Sequence, residues 1–175
     1  KFIPYDLSNK SDYENLEGAY GLIHLAWQGL HNYDSLVHYQ KNLPNSIRFV
    51  NSLVSKGVKK ILVSGTCSEY GSKSGPISSN VVTSPITDYA KAKDDLRKKL
   101  EILAANKDFD FQWARIFYLF GSGQNEKSLL SQLDRAIENN EKEFNMSAGE
   151  QLRDYLPVEE VAKQLFELYK SKKTG

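Results

Sequence analysis

The chain has 175 residues, 40% of them hydrophobic and 26% charged, and its 23 Lys+Arg against 22 Asp+Glu leave a net charge of +1. One ordinary domain holds roughly 100–200 residues, and this composition excludes a disordered tail, a collagen-like repeat and a disulfide scaffold. The balanced charge leaves no electrostatic footprint for nucleic acid or an anionic membrane, and no apolar run approaches the roughly 20 residues of a membrane span.

The lone cysteine, Cys67, excludes an internal disulfide and suits a reducing cytoplasm. The opening Lys1-Phe2-Ile3-Pro4-Tyr5 carries neither an initiator Met nor a signal-peptide pattern, so it reads as the middle of a longer protein. Gly21–Ala26 (GLIHLA) is then the first buried strand expected. Ser35–Lys56 has helical periodicity through Leu36, Tyr39, Leu43, Ile47, Val50, Leu53 and Val54. Pro44 should kink that helix or sit in its first turns, and Gly57 should end it. Lys59–Ser64 (KKILVS) is the second strand, and Asp88–Asn106 the next helix, with Thr87 or Asp88 as N-cap. Asp110–Phe120 reads as one strand, Glu126–Asn139 and Val158–Lys170 as helices. Strands alternating with helices predict an α/β fold with a doubly wound, Rossmann-like parallel sheet. Its core is expected over residues 1–121, a partial substrate-binding lobe over 122–156, and a helix returning to the core over 157–175.

Two segments could carry chemistry. Ser64-Gly65-Thr66-Cys67-Ser68-Glu69-Tyr70-Gly71 follows the second strand directly, where a doubly wound sheet binds its ligands, although an ordinary turn has a similar composition. Tyr89-Ala90-Lys91-Ala92-Lys93 puts Tyr89 and Lys93 one turn apart on one helix face. A nearby ammonium favours the phenolate and brings a tyrosine, whose ordinary pKa is about 10, toward general acid/base work. Tyr169 and Lys173 have the same spacing in a lysine-rich tail with no polar cluster before it, so spacing alone carries little.

The order of the pieces carries more. GLIHLA, a long helix, KKILVSGTCSEYG, a loop with Pro76 and Pro85, YAKAK, ARIFYLFGSGQ and RDYLPVEEVA follow one another. From Asp6-Leu7 to about Lys170 the chain resembles the extended short-chain dehydrogenase/reductase family of nucleotide-sugar epimerases, dehydratases and 4-ketoreductases. That resemblance implies an NAD(P)-dependent oxidoreductase or epimerase with NAD or NADP as cofactor. Its partner would be a nucleotide-sugar substrate, and its assembly a homodimer through the two long helices. It implies a catalytic trio. Thr66, five residues before Gly71, would bond the sugar oxygen and Tyr89. Tyr89 would exchange a proton with that oxygen, and Lys93 would hold the nicotinamide ribose and lower the Tyr89 pKa. The resemblance also assigns Asp6 and Leu7 to the adenine, and His24, Leu25, Ala26 and Ser64 to the rest of the cofactor. Asn42 becomes a structural residue, and Thr66, Cys67, Ser68, Tyr118 and Arg153 become substrate contacts, Arg153 toward the diphosphate.

Departures narrow this. The 4,6-dehydratases place Asp-Glu after the catalytic Thr, where this chain has Cys67 and Ser68, so dehydration is not expected. Tyr118 stands where many members have a substrate-contacting Asn. The combination of GTCSEYG with RIFYLFG looks most like the 4-ketoreductases of deoxysugar synthesis. The family's glycine-rich phosphate turn is absent: Gly121-Ser122-Gly123 is followed by Glu126 where a glycine is needed. The chain thus reads as starting near the third strand of the Rossmann unit, and the 175 residues alone are expected to be inactive. A non-catalytic dinucleotide sensor or scaffold of the same fold is the alternative. No metal site is expected, because His24, His31 and His38 lack ligand spacing. A cysteine hydrolase built on Cys67 is more distant still, and Glu159 and Glu160 read as acids at a helix N-terminus.

Overall fold

The computed structural model describes residues 4–9, 16 and 18–175. The parts of the opening pentapeptide and of the 1–121 core that fall on 1–3, 10–15 and 17 lie outside the described residues. Strand β1, Gly21–His24, is followed by a π-helical turn, His38–Asn42, which runs into helix α1, Leu43–Ser55. Strand β2 is Lys60–Thr66, a 3₁₀ turn covers Cys67–Tyr70, and helix α2 is Asp88–Asn106. Strand β3, Asp110–Ile116, strand β4, Tyr118–Phe120, helix α3, Leu129–Glu138, strand β5, Tyr155–Pro157, and helix α4, Val158–Lys170, complete the order. The chain forms two compact units, Lys1–Ile116 with Leu168–Gly175, and Phe117–Glu167.

In the first unit β1, β2 and β3 make a parallel sheet in that order, with His24 opposite Val63 and Thr66 opposite Ile116. Parallel strands demand helical crossovers, and the apolar sides of α1 and α2 supply them. Phe49, Val50 and Leu53 of α1 and Ala92, Leu96 and Leu100 of α2 close over Ile61, Val63, Phe111 and Trp113. Alternation along the strands sends Leu62 and its register partner Gln112 to the opposite face. There the Gln112 amide donates to Leu168 O (2.7 Å) and Lys173 O (2.6 Å), and Gly175 N donates to Phe111 O (2.9 Å). Those bonds tie residues 168–175 to β3.

Local chemistry explains where elements stop. Val58 N bonds Leu53 O (3.1 Å) and Gly57 N bonds Val54 O (3.0 Å), the paired closure that needs a left-handed residue, met by Gly57 at φ +90°. The helix expected over Ser35–Lys56 is instead α1 preceded by a wider turn, in which Leu43 N bonds His38 O five residues back. Pro44, in the first turn of α1, has no N–H to give the carbonyl four residues before it.

The strand expected to end at Ser64 runs on through Gly65 to Thr66, while the one expected to reach Ala26 stops at His24. The single strand expected over Asp110–Phe120 is two. Once Thr66 turns into the 3₁₀ segment, β3 has no partner beyond Ile116. Tyr118 N then bonds Asp154 O (3.1 Å), and β4 pairs with β5 in a parallel sheet of the second unit. Residues 117–121, assigned from sequence to the core, therefore group with 122–167.

Candidate active site

Thr66 ends β2 in an extended conformation (φ −142°, ψ 145°) and caps the following turn. Its Oγ accepts from Ser68 N (3.3 Å), while its own N–H donates to Glu69 Oε1 (2.8 Å). Across from it, Thr87 Oγ accepts from Ala90 N (3.2 Å) and starts α2, which presents Tyr89 and Lys93 from the same side. The Thr66 side chain lies close enough to the Tyr89 phenol to lower its pKa. Lys93, buried, donates from Nζ to Ser64 O (2.9 Å). Thr66, Tyr89 and Lys93 thus converge at the carboxyl end of β2. Tyr169, with the same spacing to Lys173, lies at the other end of the strands, its ring 5.6 Å from Lys60 Nζ.

The electrostatics differ from the simple expectation. Burial pushes the Tyr89 phenol up to about 12, with the nearby Thr66 side chain pulling the other way. Burial drags the Lys93 ammonium down to about 7, opposed by the charge of Glu69. Lys93 Nζ sits 4.1 Å from the centre of the Trp27 ring. Trp27 also meets Tyr89 edge-on at 6.1 Å, and Tyr33 stacks on Tyr89 at 5.1 Å. The indole is oriented in turn, because Trp27 Nε1 donates to His38 Nδ1 (3.0 Å). His38 is therefore protonated at Nε2, which donates to Asn32 O (2.9 Å). Asn42, expected to be structural, closes the loop by exchanging hydrogen bonds with the Gln28 backbone (2.9 and 3.3 Å).

Trp27 joins this cluster to a cavity of about 680 Å³. Of the residues assigned to the cofactor from sequence, Asp6, Leu7 and Ala26 line it, together with Gln28, Lys41 and Arg48. Neither His24 nor Leu25 is part of that lining. The His24 ring turns into the core, its Nε2 3.1 Å from Ser46 Oγ, where burial lowers its pKa to about 4. Leu25 is exposed. Ser64 is buried, its Oγ donating to His24 O (3.4 Å). Cys67 and Ser68 stand in the 3₁₀ turn, half-buried. Tyr118 and Arg153 belong to the second unit, where they are hydrogen-bonded and the guanidinium lies 4.4 Å from the ring centre. Among the described residues no group of three or more His, Cys, Asp or Glu could hold a metal ion, and no helix is long and apolar enough to cross a membrane.

The sequence profile of the NAD dependent epimerase/dehydratase family matches residues 1–175. The chain belongs to that family. It is 28% identical over 172 residues to a dTDP-6-deoxy-L-talose 4-dehydrogenase (NAD(+)) of Aggregatibacter actinomycetemcomitans, covering 98% of this chain and 63% of the relative. A UDP-N-acetylglucosamine 4-epimerase of Methanobrevibacter ruminantium, solved with UDP-N-acetylmuramic acid, superposes with TM-score 0.86 at 26% identity, covering 98% of this chain and 58% of that one. RMD of Pseudomonas aeruginosa, solved with NADPH, shares the fold at 19% identity, with TM-score 0.84 over 99% of this chain and 65% of its own. The family member therefore spans about three-fifths of the length of these relatives, on the Rossmann-like fold that the strand and helix order predicts.

Trp27, Tyr33, His38 and Glu69 pack around Thr66, Tyr89 and Lys93, and no such place was assigned to them from the sequence. The signal for Trp27 was its place directly after the strand end GLIHLA, and for Glu69 its place three residues after Thr66.

Proposed function

We propose that this chain carries the acid/base centre of an NAD(P)-dependent enzyme that interconverts a ketone and an alcohol at C4 of a nucleotide-linked sugar, by reduction or within an epimerisation. The observation that supports this most directly is the meeting of Thr66, at the end of β2, with Tyr89 and buried Lys93 of α2, whose Nζ donates to Ser64 O (2.9 Å). The cavity walls suit a dinucleotide: Asp6 can accept from ribose or adenine, and Lys41, Arg48 and the Gln28 and Asn45 amides can meet hydroxyls and phosphates. A bound nicotinamide would supply the hydride that the protein itself cannot. Tyr89, held neutral far above physiological pH, would serve as proton donor to the oxygen at C4, and Thr66 would orient that oxygen and the phenol together. Lys93, one helix turn from Tyr89 and with its Nζ 4.1 Å from the Trp27 ring at the cavity edge, would hold ribose hydroxyls. For substrate contacts beyond the trio we propose Cys67, Ser68, Tyr118 and Arg153, and for the assembly a homodimer, on the resemblance alone.

Substituting Y89F in the intact protein tests this reading. Turnover should fall by roughly 10²–10⁴-fold, the usual worth of a positioned acid/base, with the far-UV spectrum and thermal melt unchanged. Retained turnover in that variant would remove Tyr89 from the chemistry.

A further inference from the structure

Glu69 is a fully buried carboxylate immediately behind the proposed trio, and every donor around it is directional. Oε1 accepts from Thr66 N (2.8 Å), and Trp113 Nε1 lies 3.1 Å from both oxygens. Oε2 accepts from Arg115 Nε (2.7 Å), and Arg97 Nε stands 3.9 Å away. These partners sit on β2, β3 and α2, so one carboxylate bridges the strand that carries Thr66 to the helix that carries Tyr89 and Lys93. Gly65 belongs to the same construction, since a methyl there would overlap the Trp113 indole nitrogen and the Glu69 carboxylate.

Buried ion pairs contribute little net stability, because desolvation offsets attraction. What Glu69 does that a hydrocarbon could not is accept the Thr66 N–H and thereby fix the Thr66 main chain. Thr66 Oγ already accepts from Ser68 N (3.3 Å), which leaves its hydroxyl hydrogen to be aimed at Tyr89. We propose that Glu69, clamped by Arg115 and Trp113, is a positioning residue that acts through Thr66 to align its hydroxyl with Tyr89. The inference rests on the function proposed above. The charge of Glu69 also reaches both Tyr89 and Lys93, raising the pKa of each.

A double-mutant cycle in the intact protein separates positioning from mere support of the fold. Turnover of a nucleotide-linked 4-ketosugar with reduced nicotinamide coenzyme is measured for E69A, E69Q, T66A and the combinations. We expect kcat to fall about a hundredfold in E69A, as misplacement of a reacting group does. E69Q, which keeps an oxygen acceptor for Thr66 N–H, should recover about tenfold of that loss. Sugar KM should stay within about twofold in both, and in the T66A background both changes should shrink to about twofold or less. Equal losses with and without Thr66 would overturn the positioning role while leaving the trio standing. Full activity in T66A and Y89F would overturn the trio and this inference with it. If the Glu69 variants do not fold, R115K, which loosens the same carboxylate, is run through the same cycle and read by the same criteria.

Discussion

Replacing Lys93 with methionine should make the protein more stable while abolishing its chemistry, and the gain should depend on pH in a calculable way. Lysine ordinarily titrates at 10.5, whereas burial brings Lys93 down to about 7. Above 10.5 neither the folded nor the unfolded chain is charged at this site, and no penalty exists. Between 7 and 10.5 the unfolded chain holds a proton that the folded one lacks, so stability rises with pH. Below 7 both hold it and the penalty is complete, on the order of 4–5 kcal/mol at about 1.4 kcal/mol per pKa unit. K93M has no such penalty. Its advantage over the parent at pH 7.5 should therefore shrink by about 1 kcal/mol per pH unit up to 9.5. Tyr39 and Tyr89, both raised to about 12, act in the opposite direction, but only above about pH 10, and both remain in the variant. The difference between the two proteins isolates Lys93. Urea denaturation at pH 7.5, 8.5 and 9.5 measures it. Parallel stability curves for parent and K93M would refute the reasoning, because they would mean that the ammonium keeps its ordinary pKa in the fold.

Two further substitutions probe the frame that holds the site. F49A removes a side chain that is 1% exposed at the centre of the α1–sheet contact and should cost about 3–5 kcal/mol, read from the urea midpoint. G65A meets no backbone strain but collides with Trp113 and Glu69; it should cost about 1–3 kcal/mol by overpacking and lower kcat by displacing Thr66. A G65A protein with parental melt and turnover would show that the Glu69 cluster yields without consequence to Thr66.

What could be read from the sequence was what local chemistry decides. Helix α2 begins and ends at the residues expected, Asp88 and Asn106, because Thr87 is a cap and the apolar spacing of its interior is regular. Glycine 57 closes α1 for a reason that a tripeptide would show. The break at Phe117 could not be read in the same way, because ARIFYLF is equally apolar on both sides of it. The strand changes partner there because β2 turns away at Thr66, a fact about a segment fifty residues earlier. The same holds for Glu69, whose surroundings in sequence are those of any polar residue in a turn. Its burial depends on Trp113 and Arg115, which reach it only once β2 and β3 are in register. That Thr66, Tyr89 and Lys93 would meet at one strand end was legible because residue type and order carry that placement. The groups that set their protonation are tertiary neighbours, so a spacing that promised a lowered Tyr89 pKa met a burial that raises it, with Lys93 turned to Ser64 and Trp27. A tyrosine held at about 12 keeps its proton at neutral pH, so Tyr89 stands in the fold as a neutral phenol.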